Sequence, residues 1–302
     1  MTNKLHVCYV LVAKGWDRYS QMAWISAKAV RLLHPDAQIS LVLDTSTKDI
    51  LKNSGNSLLE LMNDVIAVDC DIADLTVRSR HLKLQIRNLL RGDFLHLDVD
   101  TVPIRPFADV MEAEGSLAAA IDFNANVNEV WQPDPDTCKV FQDLHWPIPR
   151  VCYNAGIFLL RDNDDSRGFM DLWRRRWEET KGLSKRADHL GDQFAFNRAI
   201  VESGIRTAVL SNKYNAMVAV RPWLSRRASV LHFFSSPEQI QGTLLDHLLK
   251  RVKETGEFDE TAIKRCIDER HPWGPNSEPW QFWRSRNYIR AIAGKVRRAA
   301  AR

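Results

Sequence analysis

The stretch that decides the fold is FLHLDVDTV, residues 94–102, in which an apolar run ends in two aspartates and a second apolar run follows. An apolar run of this length, bounded by polar residues, predicts a buried strand. Two carboxylates so close together at its end repel each other unless a cation neutralises them. A hard divalent ion, Mn²⁺ or Mg²⁺, does so and also binds the oxygens of a diphosphate. Asp98 and Asp100 are therefore candidate metal ligands.

The Asp-x-Asp triplet is a weak signal by itself, because the chain contains it four times. The other three copies are Asp69/Asp71, Asp134/Asp136 and Asp162/Asp164. Only the copy at residues 98–100 has a full apolar strand before it and an apolar run after it. The alternative for any single copy is a pair of solvated acids in a loop.

Strand-like and helix-like patterns alternate around this stretch. Alternation of this kind predicts a single Rossmann-like α/β domain whose mainly parallel sheet binds ligands at the carboxyl ends of its strands. We expect strands at residues 7–12, 39–43, 63–68, 93–97, 117–121, 151–160 and 230–234. We expect helices at residues 19–33, 169–177 and 194–201, and one through Leu82, Ile86 and Leu89. Residues 124–150, rich in Pro, Asp and Trp, predict an extended loop.

Composition sets the class of protein. The 302 residues are 45% hydrophobic and 26% charged, as in ordinary globular proteins. No run approaches the ~20 apolar residues that a membrane span requires. Five scattered cysteines without a C-x-x-C pair argue against a disulfide framework or a zinc site, and they suit a reducing cytoplasm.

Charge is distributed unevenly along the chain. The net charge is +4, but residues 279–302 hold seven basic and no acidic side chains, which leaves −3 for the rest. Basic residues interleaved with aromatic ones predict contact with an anionic membrane surface. The alternative is a disordered solubilising tail, and nucleic acid is not expected because no binding module accompanies the tail. We therefore predict a catalytic domain at residues 1–250 and a helical extension with a membrane-associating basic tail at residues 251–302.

Three further segments carry a resemblance to a known family. They are YNAGIFLL at residues 153–160, Asp192-Gln193 followed by Asn197, and LHF at residues 231–233. In this order after the Asp-x-Asp strand, they resemble the motifs of glycosyltransferases with the A-type fold, especially the retaining family 8 group. The similarity covers roughly residues 5–236.

The resemblance implies a role for each matched position. The cation, Mn²⁺ or Mg²⁺, would be held by Asp98, Asp100 and His232. The catalytic residues near the anomeric carbon would be Asp192 and Gln193. The residues that bind the donor would be Tyr19 at the nucleotide base, Lys83 (with Arg80 as the competing basic residue), Asp122, Asn154, Ala155 and Gly156.

Each of these assignments has a structural alternative. His232 is an ordinary strand histidine in that view, and Asn154 and Gly156 are turn formers. Asp192 is the N-cap of a helix, and Tyr19 is a core residue.

The implied activity is metal-dependent transfer of a hexose from a UDP-sugar to a glycan or glycolipid acceptor, with retained anomeric configuration, in polysaccharide biosynthesis. The enzyme would be cytoplasmic and peripheral on the inner face of the membrane. One departure is plain: family 8 members usually have a Gly and a Lys after the histidine, whereas here the next lysine after His232 is Lys250.

Two rival functions stay open from the sequence. The strand and Asp-x-Asp-Thr-Val also match haloacid-dehalogenase-type phosphatases, in which Asp98 would be the nucleophile and Asp100 the general acid. That motif usually opens the first strand of its fold, whereas about ninety residues precede it here. The other rival is a catalytically inactive, membrane-bound adaptor.

Overall fold

The computed structural model describes residues 4–234, 236–274, 277, 279–284 and 292. Most of the predicted basic tail, at residues 285–291 and 293–302, lies outside the described residues. Ten strands are present in the described part of the chain: β1 His6–Leu11, β2 Gln38–Asp44, β3 Asp64–Val68, β4 Phe94–Leu97, β5 Thr101–Pro103, β6 Leu117–Ile121, β7 Tyr153–Leu160, β8 Thr207–Leu210, β9 Ala216–Met217 and β10 Val230–His232.

Eleven α-helices are present in the same part of the chain: α1 Arg18–Leu33, α2 Thr45–Asn53, α3 Leu75–Lys83, α4 Ile86–Leu89, α5 Pro135–Asp143, α6 Asp164–Thr180, α7 Lys185–Ser203, α8 Pro237–Ile240, α9 Leu244–Thr255, α10 Glu260–Glu269 and α11 Pro279–Arg284. Among the described residues, no helix combines the length and apolar character needed to cross a bilayer.

A seven-stranded sheet with the order β3-β2-β1-β4-β7-β6-β8 forms the centre of the protein. Strands β3, β2, β1 and β4 run parallel, β7 is antiparallel to both of its neighbours, and β6 is parallel to β8. The mainly parallel α/β sheet that the sequence predicts is confirmed.

Alternate side chains of the strands fill a core on each face of the sheet. In β1, Val7 and Tyr9 pack in the layer under α1, α9 and α10, whereas Cys8 and Val10 pack in the layer that includes α6 and α7. Both layers are rich in fully buried aromatic rings. Because both faces are covered, the strands are mainly apolar, as parallel strands usually are.

A second sheet of three short strands, in the order β5-β10-β9, lies beside the carboxyl end of β4. Strand β5 begins directly after Asp100, and its Thr101 pairs with His232 of β10. The second sheet therefore brings residue 232 to the aspartate pair by backbone register rather than by a flexible loop.

Some predicted boundaries are wrong. The helix predicted through Leu82, Ile86 and Leu89 is two helices, because Gln85 bonds to the Leu82 carbonyl (N···O 3.0 Å) in a tightened last turn. The loop predicted at residues 124–150 contains α5. Its start is marked by Pro135 and by the N-cap Asp134, whose side chain accepts from the Thr137 amide at 3.1 Å.

Helix α7 begins earlier than predicted. Its N-cap is Ser184, whose hydroxyl accepts from the Ala187 amide at 3.1 Å, so Asp192 lies inside the helix and is not its N-cap. Gly191 hides this helix in the sequence, yet a glycine is required there because an added Cβ would lie 2.3 Å from the Thr180 hydroxyl. The predicted division of the chain at residue 250 stays a prediction; α9 runs across it.

Candidate active site

The carboxyl end of β4 holds the aspartate pair at the middle of the sheet. The Asp98 amide donates to the Gly156 carbonyl at 2.8 Å, which continues the β4–β7 ladder past the last strand residue. The Thr101 hydroxyl donates to the Asp98 carbonyl at 2.8 Å and fixes the turn between β4 and β5. Both carboxylates are thus presented by a backbone that is hydrogen-bonded on either side.

Asp98 is stabilised by two side chains of the protein, a lysine that offsets its charge and a histidine that donates a hydrogen bond to it. Lys83 Nζ lies 2.9 Å and His96 Nε2 lies 3.0 Å from Asp98 Oδ1. Burial would raise the pKa of Asp98, but Lys83 and His96 outweigh it and hold that pKa well below its usual range. Asp98 is therefore a carboxylate at neutral pH.

His232 completes a possible metal centre. One ligand atom from each of Asp98, Asp100 and His232 lies within 4.8 Å of the others. His232 Nε2 is 3.3 Å from Asp100 Oδ1, and its Nδ1 is 2.8 Å from Asn215 Oδ1. Since an amide oxygen only accepts, Nδ1 carries a proton and Nε2 is the nitrogen turned toward the carboxylates.

The negative charges of Asp98 and Asp100 favour a positive charge at this centre. Burial would lower the pKa of His232, but the carboxylates of Asp100 and Asp98 outweigh it and raise that pKa above its ordinary value. A neutral ring would point the Nε2 lone pair at Asp100, which is unfavourable without a cation between them. Two carboxylates and one imidazole nitrogen suit Mn²⁺, and suit Mg²⁺ less well. The residues present fit such an ion.

Gly156 forms one wall of the same centre. A Cβ at this position would lie 2.6 Å from Asp98 Oδ2 and 2.8 Å from His232 Cε1. Only glycine allows both side chains to approach the β7 backbone so closely. The alternative that Gly156 is a turn former is wrong, because it lies inside β7.

Asp122, Asn154 and Gln193 form a hydrogen-bonded group beside the aspartate pair. Asn154 Nδ2 donates to Asp122 Oδ1 at 3.1 Å, and Gln193 Nε2 donates to Asp122 Oδ2 at 2.7 Å. Burial raises the pKa of Asp122, and the two amides partly offset that rise. The Ala155 amide lies 3.5 Å from Gln193 Oε1, so three elements, the end of β6, β7 and α7, meet here.

The remaining predicted residues lie around this core with different partners. Asp192 is paired with Arg80, whose Nε is 3.2 Å from Asp192 Oδ1, whereas Lys83 contacts Asp98. The two basic candidates are thus both used, on different acids. Tyr19 lies in the first turn of α1 and is 48% exposed, so the alternative that it is a core residue is wrong.

Two residues, His96 and Asn215, contribute to the site although no sequence motif identifies them. His96 is an inward-facing residue of a buried strand, and Asn215 precedes a two-residue strand that carries no pattern. The position of His96, two residues before Asp98 and hence on the same face of the strand, is a signal that could have identified it. Asn215 has no comparable signal.

Comparison with known proteins gives the fold a precedent. The galactosyltransferase LgtC, in a structure with donor and acceptor sugar analogs, superposes with a TM-score of 0.54 at 14% sequence identity, over 85% of this chain and 98% of that one. The glycosyltransferase GlyE from Streptococcus pneumoniae TIGR4, in its apo form, superposes with a TM-score of 0.55 at 15% identity, over 91% of this chain and 66% of that one.

This chain therefore matches about two thirds of the length of GlyE. No family model matches the sequence, and no curated protein matches it significantly. The likeness is one of structure at low identity. It shows that the chain has the A-type fold of glycosyltransferases, as the sequence motifs predict.

Proposed function

We propose that this protein is a metal-dependent glycosyltransferase that moves a hexose from a UDP-sugar to a glycan or glycolipid acceptor, with retained anomeric configuration. The observation that carries the proposal is the convergence of Asp98, Asp100 and His232 ligand atoms within 4.8 Å at the carboxyl edge of β4. In an open α/β sheet, this edge is where nucleotides and their phosphates bind.

Each residue group has a part in the proposed reaction. Mn²⁺ or Mg²⁺ held by the three ligands would stabilise negative charge on the departing diphosphate. Asp122, Asn154 and Gln193 hold one another in position and would accept and donate hydrogen bonds to the sugar hydroxyls. Gly156 would let the metal ligands lie against β7 beside the sugar, and the exposed Tyr19 would stack on the base.

In this proposal, Lys83 and Arg80 would supply the positive charge that a lysine after His232 provides in family 8 members. Lys83 lies against Asp98 and Arg80 against Asp192, so both flank the proposed diphosphate position. In the proposed step, the anomeric carbon loses its bond to the phosphate oxygen as the acceptor oxygen bonds to it from the same face. The acceptor proton passes to the leaving phosphate. Asp192 and Gln193 would stabilise the positive charge that develops on the sugar while the bond to the phosphate breaks.

The phosphatase alternative is less consistent with the contacts. A nucleophilic Asp98 would have to attack phosphorus through Oδ2, because Oδ1 is held by Lys83 and His96. That family also needs a second acidic motif, for which Asp192 is the candidate in this chain; Asp192 lies inside α7 and is paired with Arg80 of α3. The inactive-adaptor alternative predicts lipid binding without UDP binding.

The proposal is tested by hydrolysis of UDP-glucose and UDP-galactose, with released UDP as the readout and Mn²⁺ as the added ion. We expect Mn²⁺-stimulated release in the natural protein and a loss on the order of a thousandfold in Asp100→Ala. Asp136→Ala, in an exposed Asp-x-Asp copy on α5, is the matched control and should keep full activity. Turnover of p-nitrophenyl phosphate with Mg²⁺, without any response to UDP-sugars, would contradict the proposal.

We also propose that residues 279–302 hold the enzyme on an anionic membrane surface, on the cytoplasmic face. The described start of this segment supports it: Trp280 and Trp283 in α11 are each 54% exposed. Exposed tryptophans beside basic residues suit the lipid headgroup region. Sedimentation with phosphatidylglycerol vesicles, compared with phosphatidylcholine vesicles, tests this; binding unchanged in W280A/W283A would count against it.

A further inference from the structure

A cavity of about 430 Å³ opens beside the proposed donor-sugar site. Its floor includes Asp122, Asn154 and Gln193, so it adjoins the group that would bind the donor sugar. The volume falls within the range of about 300–1,000 Å³ that is usual for small-molecule sites. A molecule in this cavity would lie next to the transferred sugar.

One wall of the cavity is Phe123, whose backbone is in an unusual conformation. Its φ is 52° and its ψ is 17°, and φ of Asn124 is also 52°. Left-handed backbone is costly for a bulky residue, and it persists only where the surroundings impose it. The Phe123 side chain is 47% exposed, so burial of its ring does not compensate for this cost.

The surroundings that impose the conformation belong to the proposed metal centre. Asn124 is fully buried, its Oδ1 accepts from the Met217 amide at 2.8 Å, and its Nδ2 donates to the Asn215 carbonyl. Asn215 is also the partner of His232 Nδ1. The backbone that carries the exposed Phe123 ring is therefore fixed to the same segment that orients His232.

Three more aromatic side chains line the cavity, namely Trp131, Phe194 and Phe234. Trp131 comes from the loop after Asn124 and packs on Phe141, with ring centroids 5.7 Å apart. Phe234 follows β10 and stacks on the His232 ring, with centroids 6.0 Å apart and an interplanar angle of 26°. Aromatic walls with a few polar groups at the floor suit a pyranose ring, which has apolar C–H faces and hydroxyls around its edge.

The two arginines that line the cavity are already paired with acids. Arg186 is paired with Asp134, and Arg221 Nη2 lies 3.2 Å from Glu129 Oε2. With Asp122, three acids therefore face two arginines among the lining residues. An acidic sugar or a phosphate group would find no excess of positive charge in this cavity.

We propose that this cavity is the acceptor subsite, that it takes an uncharged saccharide, and that Phe123 is the surface on which the acceptor sugar stacks. This inference rests on the proposed function, since it names the acceptor of that reaction. It assigns the strained Phe123–Asn124 pair a purpose: the ring is held in place for the ligand before the ligand arrives.

The test measures saccharide binding directly, by saturation-transfer NMR with UDP and Mn²⁺ present, so it does not depend on turnover. The probes are lactose, maltose and cellobiose as neutral sugars, and 3′-sialyllactose as an acidic one. We expect a neutral disaccharide to bind to the natural protein. Its dissociation constant should be at least tenfold larger in Phe123→Ala and Phe123→Gly, and nearly unchanged in Phe123→Tyr. Val127→Ala is the matched control, because Val127 is on the same loop and 54% exposed but is not a lining residue.

Glycine at position 123 separates a ligand role from a structural one. Because glycine adopts positive φ without strain, Phe123→Gly should keep or raise the thermal midpoint while it loses saccharide binding. Binding that survives in Phe123→Gly, preference for the sialylated probe, or no binding of any probe by the natural protein would each overturn the inference. Binding that depends on Phe123 without Mn²⁺-stimulated UDP-sugar hydrolysis would uphold the subsite and refute the proposed transferase.

Discussion

Two Asp-x-Asp triplets follow neighbouring strands of the same sheet but lie at opposite ends of those strands, and they have different surroundings. Asp98 and Asp100 follow β4, whereas Asp162 and Asp164 follow β7, which runs antiparallel to β4. Asp162 accepts from the Gly92 amide at 2.6 Å and is paired with Arg167 and Arg87. Asp164 is an exposed residue in the first turn of α6.

The comparison separates a structural acid from a candidate metal ligand. At the β7 end, two arginines and a backbone amide bind the Asp162 carboxylate, and Asp164 stabilises the N-terminus of α6 by its negative charge. At the β4 end, the two acids face an imidazole nitrogen from a second sheet. The same motif thus has a structural role after β7 and a proposed metal-binding role after β4. The direction of the strand and the residues that approach from elsewhere in the sequence decide between the two roles.

The largest expected difference between the triplets is in catalysis. Asp98→Asn removes a charge from the proposed ligand set, so we expect UDP-sugar hydrolysis to fall on the order of a thousandfold. Asp164→Asn should leave the rate within about twofold and cost only about 0.3–1 kcal/mol of stability at the helix N-terminus. Steady-state release of UDP with Mn²⁺ measures the first and urea denaturation the second; equal rates in the two variants would remove the distinction.

A smaller effect, on metal affinity, should come from a substitution that crowds the carboxyl end of β4 without changing its charge. Gly156→Ala puts a methyl group 2.6 Å from Asp98 Oδ2 and 2.8 Å from His232 Cε1. We expect Mn²⁺ affinity, measured by calorimetry, to fall about 10–100-fold, as when ligand positioning is disturbed. Gly168→Ala on α6 is the control, because no atom outside the adjoining residues and the helix's own backbone lies within 4 Å of the added Cβ. It should stabilise the helix by about 0.5–1 kcal/mol and leave Mn²⁺ binding unchanged.

The smallest effect is on stability at the β7 end. The Gly92 amide and Arg167 hold the pKa of Asp162 below its usual range. A lowered folded-state pKa means that the carboxylate contributes stability above its unfolded pKa of about 3.9 and loses it as pH falls through the folded value. Asp162→Asn should therefore cost about 1–2 kcal/mol at pH 7, and less at pH 3.

Urea denaturation at the two pH values measures this, with Asp71→Asn as the control. Asp71 belongs to another triplet and is exposed, so its change should stay within about 0.5 kcal/mol at both pH values. A cost for Asp162→Asn that is the same at pH 3 and pH 7 would show that charge is not the reason for it.

The sequence predicts the strands of the main sheet well because both of its faces are covered. Continuous apolar runs such as residues 39–43 and 117–121 stand out from the polar connections. Strand β8 escapes prediction because it is short, lies at the sheet edge and is only partly buried. Helix α5 escapes it because Pro, Asp and Trp in the surrounding loop mask its Asp-Pro start.

The site could be predicted only where a motif marked it. Asp98, Asp100 and His232 are grouped by resemblance, and the structure brings them together through the pairing of β5 with β10. The contribution of Asn215 depends on the approach of a short segment to His232 across the fold, which has no local pattern. The roles of Asp192, Gln193 and Tyr19 in catalysis and donor binding remain predictions.

The pairing of Lys83 with Asp98 has a consequence for how the protein behaves when chelators strip divalent ions from it. Because Lys83 offsets the Asp98 charge, His96 donates a hydrogen bond to the same oxygen, and Asp100 is paired with His232, we expect the protein to fold without an ion. A preparation treated with EDTA should stay compact and recover its activity on reloading. If the proposed function holds, the availability of the ion in the cell would then set the reaction rate without changing the abundance of the protein.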